Sequence, residues 1–217
     1  IPLHRAGSRR IQTVIAVVET ETPMPISPYG TSKLMTELML RDSHFAYGLN
    51  YIALRYFNVA GADPKGRSGQ STPQATHLIK VACQTALGQR KSMDVFGTDY
   101  PTPDGTCLRD YIHVSDLISA HMDALAHLRK GGESGIFNCG YGQGYSVLEV
   151  IKAVEKASGG PVNHRLAPRR AGDPAAIVAG ADRARDILGW EPKYADLDLI
   201  VRSALDWEKH LARRNAA

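Results

Sequence analysis

The chain has 217 residues, of which 43% are hydrophobic, enough for a buried core in one substantial domain or in part of a two-domain enzyme. Its 26 Lys and Arg residues against 22 Asp and Glu give a net charge of +4 without a long basic run, which argues against a nucleic-acid-binding protein and permits an anionic ligand. Cys83, Cys107 and Cys139 show no disulfide or metal-ligand spacing, so we expect free buried thiols and no metal site. Because no signal-peptide core and no apolar run of about 18 residues is found, we expect a cytoplasmic protein without a membrane segment.

The first predicted element is a helix that begins after Ser27. Ser27 is a preferred N-cap residue, and Pro28 suits the first helical position. Apolar residues then recur at helical spacing, at Leu34, Met35, Leu38 and Met39. We therefore expect an amphipathic helix in which Tyr29 and Lys33 share one face.

Tyr29 and Lys33 together predict acid–base chemistry. A cation held one helical turn from a tyrosine favours the phenolate form, and this prepares the phenol to act as a general base. The alternative interpretation is a surface helix in which Lys33 pairs with Glu37 at i, i+4. Because Y-x-x-x-K by itself is a common pattern, the rest of the sequence has to separate the two.

Strands and helices alternate through the rest of the chain. A strand buried in a parallel sheet is predicted over 51–57, and further strands over 92–96, 108–113, 136–139 and 163–167. Helices are predicted over 74–87, from Ser115 through Leu128, from Ser146 to Gly159, and over 182–188 and 196–211. This alternation predicts a doubly wound α/β architecture. The Pro- and Gly-rich loop over 99–106 should help to shape a binding site.

Four motifs follow one another in a fixed order. They read S-P-Y-G-T-S-K-L from Ser27, L-R-Y-F-N-V-A-G-A from Leu54, L-R-D-Y-I-H-V from Leu108 and P-R-R-A-G-D from Pro168. In order and spacing, this run resembles the UDP-glucose 4-epimerases of the extended short-chain dehydrogenase/reductase superfamily, from about Val17 to the C-terminus.

The resemblance implies an α/β fold with an incomplete doubly wound Rossmann-type parallel sheet and a smaller α/β nucleotide-sugar-binding domain. Residues 1–60 would be a remnant of the NAD-binding Rossmann domain, containing the tyrosine–lysine helix and the strand after it. Residues 61–217 would belong mainly to the UDP-sugar-binding domain, with about 111–140 returning to the Rossmann sheet.

One family motif is absent from the sequence. The G-x-x-G-x-x-G turn, which holds the cofactor pyrophosphate at a helix N-terminus, is not found, and G-Y-G-Q-G at 140–144 lacks its spacing. We therefore interpret the chain as the C-terminal two-thirds of such an epimerase. The family's catalytic Ser or Thr has no convincing counterpart, because Ser8 lies near the right distance in a foreign context, and residues 1–16 would be a foreign or frame-altered start.

The resemblance also implies roles for residues around the cofactor, which would be NAD. Tyr29 would be the base that takes the proton of the sugar C4 hydroxyl, and Lys33 would bind the nicotinamide ribose. Tyr56 and Phe57 match positions beside the nicotinamide. Asn58 matches the position where contact with the nucleotide sugar begins.

Further matches imply a UDP-sugar site. Arg109 and Arg170 would bind the diphosphate, and Asp173 would accept hydrogen bonds from the uridine ribose. The remaining substrate-binding positions would be Asp94, Val95 and Phe96 along the uracil, together with His77, Leu78 and Ile177. Two alternatives stay open at this point: each arginine could form a structural ion pair with an aspartate such as Asp110, and Phe96 could be a core residue.

The implied function is a UDP-glucose 4-epimerase that interconverts UDP-glucose and UDP-galactose by transient oxidation at C4 with bound NAD. The alternatives are another nucleotide-sugar epimerase or 4,6-dehydratase, or a catalytically inactive remnant. The family also implies a possible homodimer through the Tyr29 helix. The size of Ile177 leaves the acceptance of a bulkier N-acetyl sugar open.

Overall fold

The structure is a computed structural model that describes residues 16–216. Its helices are α1 Pro28–Tyr47, α2 Leu78–Ala86, α3 Val114–Arg129, α4 Val147–Ser158, α5 Asp182–Leu188 and α6 Leu197–Ala216. Its strands are β1 Ile52–Tyr56, β2 Asn58–Ala60, β3 Met93–Phe96, β4 Leu108–His113, β5 Gly135–Cys139, β6 Gly144–Ser146, β7 His164–Ala167 and β8 Ala176–Ile177. The predicted α/β class with parallel strands is confirmed. Ser8 and most of the predicted foreign start lie outside the described residues.

The start of α1 follows from the capping residues predicted from the sequence, and its end at Gly48, which was not predicted, is also set locally. The Ser27 side chain accepts the N–H of Gly30 at 3.1 Å, and Pro28 occupies the first turn. At the other end, Gly48 adopts the left-handed conformation with φ of 69°, which ends the helix without the steric cost of a side chain. The bounds of this helix are therefore a local property of the sequence.

Among the described residues, the strands form three separate sheets made of five ladders, four of them parallel. β1 pairs with β5, β3 pairs with β7, and β4 lies between β2 and β6 with β8 as a further partner. The β4–β6 pair is the antiparallel one. At Phe57 the chain passes from β1, which pairs with β5, to β2, which pairs with β4. This change of partner lies close to the predicted domain boundary at 60, and the boundary itself stays a prediction.

The 51–57 segment differs from the buried strand that the sequence predicted. It contains one parallel strand, Ile52–Tyr56, as predicted, but its residues are only half-buried or exposed. The reason is topological: β1 has a strand partner on one side only, β5, among the described residues. A strand that reads as fully buried is therefore an edge strand here.

Helix α2 starts later than predicted, at Leu78 rather than residue 74. Gln74 has a positive φ of 56°, and His77 is extended. Neither conformation can continue a right-handed helix. Other bounds deviate less, since α5 agrees with the prediction and α6 extends from the predicted end at 211 to Ala216.

Two hydrophobic cores hold the elements together. The larger lies among α2, α4 and α6 over β3, with Val95, Ile200 and Leu205 almost fully buried. The smaller lies between α3, α5 and β5, around Trp190 and Phe137. Helix α1 contributes no buried residue to either core. The sequence predicted an apolar face for α1, but nothing in the described structure covers it.

The three cysteines are free and buried, as the sequence predicted. Burial raises the pKa of the Cys83 thiol to about 12 and that of Cys139 to about 12. Thiolates are therefore disfavoured at both positions. Within residues 16–216, no helix is long and apolar enough to span a bilayer. No group of three His, Cys, Asp or Glu side chains within the same range is arranged to hold a metal ion.

Candidate functional site

Tyr29 and Lys33 lie together on the first turns of α1. The Lys33 Nζ atom is 5.2 Å from the centroid of the Tyr29 ring. The Tyr29 side chain is 72% exposed, so its hydroxyl is open to a ligand. The predicted sharing of one helix face is confirmed by this contact, and the pair forms a phenol with an adjacent cation.

Glu37 does not pair with Lys33, as the alternative interpretation of the helix required. Instead, Arg55 of β1 donates from Nε and Nη2 to the two carboxylate oxygens of Glu37, at 2.7 and 2.6 Å. The hydrogen bond that Arg55 donates to Glu37 is the main cause of a raised pKa for Arg55. The partner of Glu37 therefore comes from the strand, because a planar guanidinium matches a carboxylate with two parallel bonds.

The end of β1 and the start of β2 present the next predicted residues. Tyr56 is 53% exposed, whereas Phe57 packs against the smaller core. The Asn58 side-chain amide donates to the backbone carbonyl of Asp110 at 3.2 Å, and this joins β2 to β4. Tyr56 is thus accessible to a ligand, whereas the Phe57 side chain belongs to the margin of the smaller core.

Arg109, Asp173 and Ile177 come together at the start of β4. Arg109 forms an ion pair with Asp173, and its Nη1 also donates to the Leu108 carbonyl at 2.7 Å. Ile177 lies opposite Arg109 in the β4–β8 ladder. The sequence motifs predicted the three residues as one ligand site, and the fold brings them into contact across about sixty positions of the chain.

Arg170 and Phe96 extend the same site. The Arg170 guanidinium carbon lies 3.9 Å from the centroid of the Phe96 ring, a cation–π contact. Phe96 is half-buried, and Arg170 covers one face of its ring. The backbone N–H of Asp173 donates to the Arg170 carbonyl at 3.3 Å, which ties this loop to the Arg109 pair.

Strand β3 separates its predicted residues by side. Val95 is fully buried on one face of the strand. Its chain neighbours Asp94 and Phe96 lie on the opposite face and are half-buried. Only the backbone of Val95 is therefore available to a ligand. Asp94 forms an ion pair with Arg165 of β7, and this hydrogen bond is the main cause of a lowered pKa for Asp94.

His77 and Leu78 lie at the N-terminus of α2. The exposed His77 contacts the Gln70 side chain at 3.3 Å, and Leu78 packs at the margin of the larger core. Within residues 16–216, His77 makes no hydrogen bond to Arg109, Arg170 or Asp173. These two residues therefore make no hydrogen bond to the arginine cluster, which consists of Arg109, Arg170 and Asp173.

Asp110 has a structural role different from that of an arginine partner. It is fully buried and accepts backbone N–H groups of Tyr141, Gly142 and Ala179 at 3.1, 2.9 and 3.2 Å. Burial raises the pKa of its carboxyl group, although these bonds act in the opposite direction. The alternative of a structural ion pair therefore holds for Arg109 with a different aspartate, Asp173, whereas Asp110 is used by backbone N–H groups.

The segment before α1 reaches the arginine loop. Gly172 has φ of 76°, and a side-chain carbon built there would lie 3.4 Å from Cδ1 of Ile26. Since Ile26 directly precedes the Ser27 cap, the N-terminal end of α1 and the P-R-R-A-G-D loop are neighbours. The segment that leads into the Tyr29 helix is therefore close to the loop that carries Arg170.

Some residues of this region were not predicted from the sequence. Arg55 holds α1 to β1, and Arg165 pairs with Asp94. Asp94 and Arg165 lie opposite each other in the β3–β7 ladder. Predicting this pair from the sequence would require knowing that these two strands are adjacent. A cavity of about 680 Å³ between the 61–69 loop and α6 contains none of the predicted site residues.

Comparisons with known proteins agree with the motifs. The profile of the NAD dependent epimerase/dehydratase family matches residues 9–140. A UDP-glucose 4-epimerase of Azospirillum brasilense is 62% identical over 197 residues, which are 91% of this chain and 57% of that protein. The chain thus spans little more than half the length of this relative.

Solved structures give the same result for the fold. The UDP-glucose 4-epimerase from Brucella ovis in complex with NAD matches with a TM-score of 0.86 and 45% identity, over 88% of this chain and 59% of that one. A UDP-glucose-4-epimerase from Stenotrophomonas maltophila with bound NAD and formylated UDP-arabinopyranose matches with a TM-score of 0.88 and 40% identity. It covers 94% of this chain and 61% of that one.

Proposed function

The chain belongs to the NAD dependent epimerase/dehydratase family, and on that premise we propose that it carries the acid–base helix and the UDP-sugar site of a UDP-glucose 4-epimerase. The observation that carries the proposal is the exposed Tyr29 phenol with the Lys33 ammonium 5.2 Å from its ring, in a chain that also carries an arginine cluster suited to a diphosphate. The names of the relatives support the same reaction.

In the proposed reaction, Tyr29 takes the proton of the C4 hydroxyl of a UDP-hexose while the C4 hydrogen leaves as hydride. Bound NAD would supply the acceptor that takes this hydride and returns it to the opposite face of the resulting 4-keto sugar. Tyr29 then returns its proton to the C4 oxygen, so the net change is the inversion of one carbon. Lys33 would bind the ribose hydroxyls and favour the phenolate of Tyr29.

The chain's residues fit NAD in one respect that the structure itself provides. The Tyr29 hydroxyl and the Lys33 ammonium are exposed side by side, and the half-exposed Tyr56 lies at the end of β1. Such donors and an aromatic edge suit a ribose and a nicotinamide ring. The glycine-rich pyrophosphate turn of the family does not occur within these 217 residues, so these residues would contact the nicotinamide half of the cofactor only.

The UDP moiety is assigned to the arginine cluster. Arg109 and Arg170 would bind the diphosphate, and Asp173 the uridine ribose, after the Arg109–Asp173 pair opens. The uracil would lie along Phe96 and the β3 backbone. Asn58, His77 and Leu78 would contact the phosphates or the sugar, and Ile177 would limit the space beside Arg109.

The proposed location and assembly follow from simple features. The three buried free thiols suit a reducing cytoplasm. A homodimer through α1 is supported by apolar side chains on this helix that are largely exposed, among them Met35, Met39 and Phe45. We propose no nucleic-acid partner, since the basic residues form no long run.

A catalytically inactive remnant is the second candidate for this polypeptide by itself. The observation that favours it concerns α1. This helix has no buried residue, and several of its apolar side chains are exposed. A different nucleotide-sugar epimerase or a 4,6-dehydratase is a further alternative within the family.

Two measurements on the chain separate these candidates. Isothermal titration calorimetry with UDP tests the arginine cluster, and conversion of UDP-galactose to UDP-glucose in the presence of NAD tests the acid–base helix. Binding with turnover that is lost in Tyr29→Phe supports the epimerase. UDP binding without turnover supports the remnant, and absence of UDP binding contradicts the site assignment in both cases.

A further inference from the structure

Arg55 and Glu37 connect the acid–base helix to the strand that ends at Tyr56. The contact is bidentate, with both bonds shorter than 3 Å at 2.7 and 2.6 Å. It is mostly removed from solvent, since 25% of the Arg55 side chain and 16% of the Glu37 side chain are exposed. Such a pair is more strongly held than a surface ion pair. Because α1 buries no residue of its own, this contact is a principal attachment of the helix.

Glu37 is also a neighbour of Lys33 along the helix. Tyr29, Lys33 and Glu37 follow at i, i+4 and i+8, so the lysine lies between the phenol and the carboxylate on one face. The Lys33 ammonium could contact either neighbour. It lies over the Tyr29 ring, and the carboxylate is turned to Arg55.

We propose that Arg55 is a positioning residue that keeps the Glu37 carboxylate away from Lys33, and so leaves the Lys33 ammonium available to Tyr29 and to ribose hydroxyls. The part played by Lys33 in catalysis rests on the proposed function. The competition between Arg55 and Lys33 for the Glu37 carboxylate is independent of the proposed function.

The physical reason lies in the burial of Glu37. If Arg55 is replaced by an apolar residue, a mostly buried carboxylate loses both of its charged hydrogen bonds, and an uncompensated charge of this kind is costly. Lys33 is the cation one helical turn away on the same face. The carboxylate then recovers part of the loss by pairing with Lys33, although lysine before glutamate is the weaker order for an i, i+4 pair.

The test measures how accessible the Lys33 amine is to acetylation. The chain is treated with a limiting amount of sulfo-N-hydroxysuccinimide acetate, and the acetylation of Lys33 is quantified by peptide mass spectrometry relative to the exposed Lys65. An ammonium held in an ion pair reacts more slowly. We expect the Lys33/Lys65 ratio to fall about twofold in Arg55→Met, the size of an i, i+4 helical pair.

A double variant separates competition from a purely structural loss. Arg55→Met/Glu37→Gln lacks both the attachment and the freed carboxylate, so the ratio should return to that of the parent chain. Glu37→Gln alone should also give the parental ratio. Arg55→Lys, which keeps a positive charge but loses the bidentate geometry, should lie between and provides a second reading if Arg55→Met does not fold.

Two results would overturn the proposal. One is an unchanged ratio in both Arg55→Met and Arg55→Lys. The other is a reduced ratio that persists in the double variant, since it would show that loss of the attachment is sufficient. The measurement needs no NAD, UDP or turnover, so its failure leaves the proposed function untouched, and a failure of UDP binding leaves this result intact.

Discussion

Arg109 on β4 and Asp173 in the loop before β8 form an ion pair although 64 positions separate them in the chain. Both residues come from motifs assigned to a nucleotide sugar, and here they bind each other. At the proposed UDP-sugar site, a diphosphate would replace the aspartate on the guanidinium, because phosphate oxygens can accept two parallel N–H bonds and carry more charge. Binding of UDP there would exchange one partner of Arg109 for another.

The first prediction concerns this arginine. Arg109→Met should weaken UDP binding by tenfold or more, since a hydrogen bond to a charged group contributes about 1.5–3 kcal/mol. Calorimetric titration with UDP measures the effect, and Arg202→Met on α6 is a matched control that should retain the affinity of the parent chain. Uridine, which lacks phosphate, should bind the parent and Arg109→Met with similar affinity. Equal UDP affinities for these two chains would contradict the assignment.

The second prediction is a pH dependence from His113. This side chain is fully buried, caps α3 by accepting the Ser115 N–H at 3.1 Å, and stacks on Tyr194. Burial lowers the pKa of His113 below its usual 6.5, although Asp116 and Asp63 act in the opposite direction. The unfolded chain therefore binds a proton at a higher pH than the folded chain does. The contribution of His113 to the free energy of unfolding should be complete above about pH 6.5, the usual histidine pKa. It should decrease as the pH falls from there through the lower pKa of the folded chain.

A non-titrating cap isolates the contribution of this histidine. Asparagine is a preferred N-cap residue, so His113→Asn keeps an acceptor for Ser115. Urea unfolding at pH 8, 7, 6 and 5.5 should show a smaller loss of stability on acidification for this variant than for the parent chain. Asp110, whose pKa burial raises, is present in both chains and cancels in the comparison. Parallel curves would exclude His113 as the cause.

The third prediction concerns the buried ion pair between Lys80 of α2 and Glu208 of α6, with side chains 7% and 5% exposed. Lys80→Met should cost about 3 to 5 kcal/mol, because it leaves the Glu208 carboxylate buried without its cation. Lys80→Met/Glu208→Leu removes both charges and should recover most of the lost stability. Urea unfolding of the three chains tests this, and a double variant as unstable as the single one would show that the pair is not the cause.

The fourth prediction is association through α1. Met35, Met39 and Phe45 are 56%, 66% and 79% exposed, and Met35 and Met39 follow at i, i+4, so this helix offers exposed apolar side chains to a second copy. Light scattering over a range of concentrations should show an apparent mass that rises towards twice that of the chain. Met39→Glu should reduce this association, whereas Arg41→Glu, which places the same carboxylate at an already charged position, should not. A strictly monomeric parent chain would remove the proposed dimer.

Much of the fold is local and was therefore readable from the sequence. The caps of α1 at Ser27 and of α4 at Ser146 and Gly159 act within one turn of the backbone, so these helix ends follow from neighbouring residues. The motif arginines could be assigned to one site because they occur together in a known pattern. The start of α2 could not be predicted, because neither Gln74 nor His77 is a residue type that signals a break in a helix. Their left-handed and extended conformations are visible in the structure alone.

By itself, the sequence determined the α/β class, the Tyr29–Lys33 spacing on one helix face and the three cysteines without a disulfide pattern. Only the tertiary structure decided which charges meet: Arg55 with Glu37, Arg165 with Asp94, and Asp110 with three backbone N–H groups instead of with Arg109. The physical reason is that helix caps and side-chain spacing depend on contacts within a few residues. An ion pair between distant elements depends on strand order and register, which the packing of the whole chain sets.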